Sequence, residues 1–317
     1  MARIYFLTVL LGGVWLVGGV RADEETTLKG HKAAVNAVAF SPNGQFLASA
    51  SDDDTVQIWD IAAGKPIGRT KGHTDSVLGV AFAPNGKMLA TASADDTVRL
   101  WDLARNRLLA TLKGHTDSVN AVAFAPDGML LASASDDGTV KLWEIPGGKS
   151  VASLRGHADA VNGIAFAPDG KLLASASDDG TIKLWDIASR KETTTLQGHK
   201  DAVNGVAFAP DGKMLASSGS DHTVKLWDVT GKEQKTLDGH TEGVNGLAFA
   251  PDGKSLASAS DDQTVIVWDI ATGKPLAILR GHTDDVNGVA FAPDGKSVAS
   301  ASEDRTVKLW KSPASGP

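Results

Sequence analysis

The chain has 317 residues, is 42% hydrophobic and 22% charged, and so has a globular composition long enough for one large domain or two ordinary ones. It contains no cysteine, which excludes disulfides, thiolate metal sites and thiol nucleophiles. No basic run interrupts its formal charge of −7, which argues against a nucleic-acid or anionic-membrane partner.

The first 22 residues differ from everything after them. "MAR" gives a positive start, Ile4 to Val20 is an uncharged apolar run, and "VRA" precedes the acidic "DEE". Residues 1–22 therefore read as a signal peptide cleaved after Ala22, which makes the mature chain periplasmic or secreted. The alternative is a membrane anchor over residues 4–20, although Gly12, Gly13, Gly18 and Gly19 weaken that run as a helix.

Beyond this leader one unit recurs. Gly-His pairs end at His31, His73, His115, His157, His199, His240 and His282, and tryptophans stand at Trp59, Trp101, Trp143, Trp185, Trp227, Trp268 and Trp310. Both series advance by 42 residues except for one step of 41, shortened between Trp227 and His240. A fixed period of this size is the signature of a repeat architecture.

Within a repeat, "VNGIAF" reads as a short strand. "APDG" is a tight turn, with Pro168 suited to its second position and Gly170 to positive φ. "KLLASAS" is a second strand, "DDG" a turn, "TIKLWDI" a third strand and "ETTTLQ" a fourth. Such a four-stranded sheet is apolar on both faces and cannot bury them alone. Seven packed radially cover each other, which predicts an all-β, seven-bladed β-propeller over residues 23–311 with the first strand of each blade at the axis. Crowding there accounts for the Ala or Gly that follows the Asn in every copy. The seventh repeat lacks a fourth strand, and "DEETTLKG" before His31 matches the fourth-strand segments, so the N-terminal strand is expected to close the last blade. Residues 312–317 are left as a short disordered tail.

The pattern "GH … VNGIAFAPDGKLLASASDDGTIKLWD" resembles the WD40-repeat family of β-propellers in seven copies in register, with Glu144 and Lys311 departing from the Asp of the signature dipeptide. The resemblance implies a buried hydrogen-bonded tetrad in each blade, formed by the His, a Ser or Thr of the second strand, an Asp of the following turn, and the Trp. The Asp stands six residues before each Trp, at Asp53, Asp95, Asp137, Asp179, Asp221, Asp262 and Asp304. The hydroxyl stands four residues earlier, at Ser49, Thr91, Ser133, Ser175, Ser217, Ser258 and Ser300. A His with serines and aspartates also has the parts of a hydrolytic triad. A hydrolase, however, needs one such set in one cleft, not seven.

The resemblance further implies a partner-binding face on the side that bears the turns between second and third strands. Two positions map there. One is Asn36, Leu78, Asn120, Asn162, Asn204, Asn245 and Asn287, and the other is Asp52, Ala94, Asp136, Asp178, Ser220, Asp261 and Glu303. They suggest a ring of amides at the channel mouth inside an acidic collar, apolar only in the second blade. Other constellations are weaker. "SDDDT" lacks calcium-loop spacing, His222 reads as a turn residue, and Arg105 with Arg107 makes a small basic spot. The expected function is an exported, non-catalytic scaffold that binds another protein or peptide, without cofactor, metal or nucleic acid. Small-ligand, glycan or cation binding at the channel mouth is the alternative.

Overall fold

A computed structural model describes residues 25–313. The leader and the last four residues, 314–317, lie outside the described residues. Of the 312–317 tail, Ser312 and Pro313 are described, and the Ser312 amide donates to the Lys296 carbonyl.

The described residues form seven sheets of four antiparallel strands, each with its strands in sequence order except the last to close. The blades are numbered 1 to 7 from His31 to His282. Blade 4 is representative, with strands Val161–Phe166, Leu172–Ser177, Thr181–Asp186 and Lys191–Gln197. Its first turn reverses at Gly170, whose φ of +71° is a conformation that favours glycine. The lower face carries these Pro-Gly turns. The upper face carries the Gly-His loops and the turns between second and third strands.

Cohesion lies between blades. Trp185 of blade 4 packs with Leu142 and Leu154 of blade 3 and with Val161 and Leu173 of its own sheet. Each such side chain, once fully buried, contributes about 1.5–3 kcal/mol. At the axis the inner strands nearly touch. A Cβ on Gly163 would lie 2.9 Å from the Asn204 carbonyl oxygen of blade 5, so the small residues there are a packing requirement.

The ring closes without a covalent bond. Glu25–Lys29 pairs antiparallel with Thr306–Lys311, Glu25 opposite Trp310 and Lys29 opposite Thr306. Leu28, 2% exposed, packs with Val35, Leu47 and Trp59 of blade 1. The Lys308 ammonium donates to the Glu25 carboxylate and the Thr27 hydroxyl. Lys183 holds Glu192 and Thr195 in the same way, and Lys225 holds Glu233 and Thr236. The N-terminal segment thus carries the side-chain pattern of an outer strand, which fixes its register.

Candidate functional site

The tetrad side chains meet in all seven blades. In blade 4 the Trp185 indole N–H donates to Ser175 Oγ at 2.8 Å, and Ser175 Oγ lies 2.8 Å from His157 Nε2. An indole can only donate, so the hydroxyl proton goes to Nε2. Nδ1 then carries the ring proton and donates to Asp179 Oδ2 at 2.8 Å. This is the connectivity of a serine-hydrolase triad, with one difference that decides the chemistry. Ser175 is fully buried and already accepts the indole proton, so no substrate carbonyl can approach it. The other six hydroxyls are equally buried.

A fifth member escaped the sequence reading. Thr181 Oγ1 donates to Asp179 Oδ1 at 2.6 Å, the Thr181 amide donates to the same oxygen, and the Ala158 amide donates to Oδ2. The carboxylate therefore accepts four hydrogen bonds. Threonine stands two residues after the tetrad Asp in every repeat (Thr55, Thr97, Thr139, Thr181, Thr223, Thr264 and Thr306), and that invariance within the chain was the available signal.

The protonation states follow. Burial pushes the His157 imidazole below its ordinary 6.5, against the opposing pull of Asp179. Burial raises the Asp179 carboxyl, but Thr181, the Ala158 amide and His157 outweigh it and hold it at about 2. Asp137 and Asp221 also sit at about 2. For the imidazoles, the stability contribution is complete above 6.5 and is lost as pH falls through the lower folded value. For the carboxylates it is present above 3.8 and is lost as pH falls towards 2. Asp285 and Glu303 act in the opposite sense, because burial and neighbouring acids raise both. With seven tetrads against two such groups, the melting temperature should fall below about pH 6.5 and again below about pH 4. Thermal melts from pH 8 to pH 3 check this, and a rise in melting temperature between pH 7 and pH 5 would contradict buried neutral imidazoles.

At the channel mouth the Asn position is a bulge. The inner hairpin of blade 4 shifts register between Val161 and Gly163, which singles out Asn162, and the same shift occurs in every blade. The Asn162 amide donates to Asp178 Oδ1 at 2.6 Å and to the Val203 carbonyl of blade 5 at 3.2 Å. Asn36, Asn120 and Asn245 likewise join their own blade's Asp to the next blade's inner strand. Asn204 uses Ser220 and Val244, and Asn287 reaches the Val35 carbonyl across the closure. The amide ring is thus a set of inter-blade links, each Asn making two bonds except Asn287, which makes one. Blade 2 breaks it, because Leu78 has no amide to offer Val119 of blade 3. Leu78 and Ala94 are both half-buried at that break.

The upper face is strongly anionic. Its Gly-His loops and second-to-third-strand turns together hold twenty-one carboxylates and only three basic residues, Lys32, Lys200 and Arg305. The Pro-Gly turns of the lower face carry five Asp and five Lys. Among the described residues one group of three carboxylates, Asp284, Asp285 and Glu303, has its oxygens within 4.8 Å of one another. The weaker sequence features are turns. Asp53 accepts from His31, the Lys32 amide and Thr55. His222 is exposed at φ +67°. Arg105 clamps Asp102 at 2.8 Å, with Arg107 Nε 3.8 Å from the same oxygen.

Two family models match the chain. The "WD domain, G-beta repeat" matches residues 23–60, 231–269 and 273–311, and the "Echinoderm microtubule-associated protein second beta-propeller" matches residues 77–236. Similar curated proteins include a ribosome biogenesis protein BOP1 homolog of Dictyostelium discoideum, 50% identical over 42 residues, which are 13% of this chain and 5% of that protein. Lissencephaly-1 homolog 1 of Paramecium tetraurelia is 51% identical over 41 residues, 13% of this chain and 10% of the relative. The vegetative incompatibility protein HET-E-1 of Podospora anserina is 58% identical over 38 residues, 12% and 3% of the two chains. Each match is about one repeat long and spans at most a tenth of the relative.

Proposed function

Because the chain belongs to the WD40-repeat family of β-propellers, we propose that it is an exported, non-catalytic scaffold whose upper face binds a basic segment of another protein. The observation that carries this reading is the charge of that face: besides the seven tetrad aspartates, its loops and turns carry fourteen carboxylates against Lys32, Lys200 and Arg305, with Arg69 and Arg99 reaching Asp53 and Asp95 from the strands. Such a field draws in cationic partners and repels nucleic acid. The raised Asp285 and Glu303 carboxyls are the local mark of that crowding, and a bound cationic side chain would relieve it.

Leu78 and Ala94 supply the one apolar break in the mouth, suited to a single aliphatic anchor on the partner. Export rests on residues 1–22, with their positive start, apolar run and small residue before Asp23.

The test uses two labelled peptides of equal length, each with one leucine, one lysine-rich and one glutamate-rich. The lysine-rich peptide should bind, and its affinity should fall steeply between 50 and 300 mM salt. Leu78→Asn, which restores the missing amide, should weaken that peptide about tenfold. Equal binding of both peptides, or binding of neither, would remove the proposal.

A further inference from the structure

In every blade the fourth strand is the last of its sheet, and an open edge is a template for another strand unless something blunts it. Six of the seven edges are blunted. Blades 1 and 6 place Pro66 and Pro275, which have no N–H to offer, on theirs. In blades 4, 5 and 7 an acid stands there, Glu192, Glu233 or Glu25, each held by a lysine of the third strand. In blade 3 Arg190 reaches back from the next blade and donates to the Val151 carbonyl at 2.7 Å.

Blade 2 has none of these devices. Its outer strand, Arg107–Lys113 with the sequence RLLATLK, holds no proline and no acid. Among the described residues no side chain caps its backbone as Arg190 caps Val151. Leu108 and Leu109 stand on it 41% and 39% exposed, the one place among the described residues where two large exposed apolar side chains are adjacent. Basic residues bracket these leucines, Arg105 and Arg107 before them and Lys113 after. The nearby Asp102 is shared, with Arg105 at 2.8 Å and Arg107 Nε at 3.8 Å, so one carboxylate serves two guanidiniums.

These surroundings choose the occupant. Two copies of the strand paired antiparallel about Ala110 would set Arg107 opposite Lys113 at both ends, and like charges directly opposed destabilise a ladder. A bilayer fits no better, because hydrocarbon would leave the N–H and C=O groups of the edge unpaired. A segment with acids at its ends and β-branched residues between them meets every demand. Its backbone extends the ladder, its apolar side chains cover the leucines, and its carboxylates face Arg107 and Lys113. We propose that the outer edge of blade 2 docks such an extended acidic segment of a partner protein as a fifth strand. The site lies on the circumference of the ring and does not depend on the anionic upper face.

The probe is the fluorescein-labelled peptide Glu-Val-Thr-Val-Thr-Val-Glu, read by anisotropy against the intact protein. It should bind with a dissociation constant below about 1 mM, and lysine at both ends should weaken it about tenfold. A glutamate-rich peptide with a single leucine lacks the alternating β-branched residues and should not bind. Saturation with the probe should slow amide hydrogen exchange across residues 107–113. The double variant Arg107→Glu, Lys113→Glu should reverse the preference between the two peptides. Leu109→Lys, which blunts the edge, should weaken the probe about tenfold without lowering the melting temperature. Leu78→Asn should change nothing, which separates this site from the upper face. An absence of binding overturns the proposal, as do equal binding of the lysine-ended peptide and exchange protection confined to other residues. Self-association of the protein, or its sedimentation with phosphatidylserine vesicles, abolished in either case by Leu109→Lys, would give the edge to another occupant and equally overturn it. The comparison of peptides uses only the unmodified protein, so it stands even if a variant misfolds.

Discussion

Replacing His157 by alanine is expected to cost about 3 kcal/mol of unfolding free energy, because it strands two buried groups at once. Ser175 loses the acceptor for its proton while still receiving the Trp185 indole N–H. Asp179 keeps its charge but loses the His157 donor, one of its four bonds. Denaturant titration measures the loss. A tetrad acts only on its own blade and its neighbours, so peptide binding at the break by Leu78, two blades away, should survive. A catalytic or ligand-contacting histidine would give the reverse result, with unchanged stability and lost activity.

The second large effect concerns closure. A chain beginning at Gly30 lacks the strand Glu25–Lys29, and Thr306–Lys311 then becomes an open edge. Loss of Leu28 also uncovers the cluster that holds Val35, Leu47 and Trp59. The expected result is a melting temperature about 10 °C or more lower, together with concentration-dependent self-association through the exposed edge. Calorimetry and light scattering report both. A synthetic peptide of residues 23–30 added in trans should reverse the self-association. If the truncated protein stays monomeric and melts normally, closure by this strand is not what holds the ring.

The fold was legible because each repeat spells its elements seven times over. "VNGIAF", "LLASAS" and "TIKLWD" became strands with nearly those bounds, and "EETTLKG" announced its role by likeness to "KETTTLQG". The tetrad hydroxyl was also legible, since a Ser or Thr stands four residues before the tetrad Asp in every repeat, whereas the serine two residues before it gives way to Gly219 in blade 5. The engagement of the amides was not. Asn162 bonds across to Val203, 41 residues away, through a bulge that belongs to strand register and leaves no mark in composition. Thr181 is readable only from its recurrence, because threonine is ordinary in strands and does not by type mark a carboxylate partner.

The clasp also has a mechanical character. Glu25 lies opposite Trp310, so the two ends of the propeller leave side by side at one edge of blade 7. Tension that pulls those ends apart loads the five residue pairs of the seam one after another, as a zip is opened, and never all together in shear. The ring therefore resists heat through seven like interfaces and yields to traction at one.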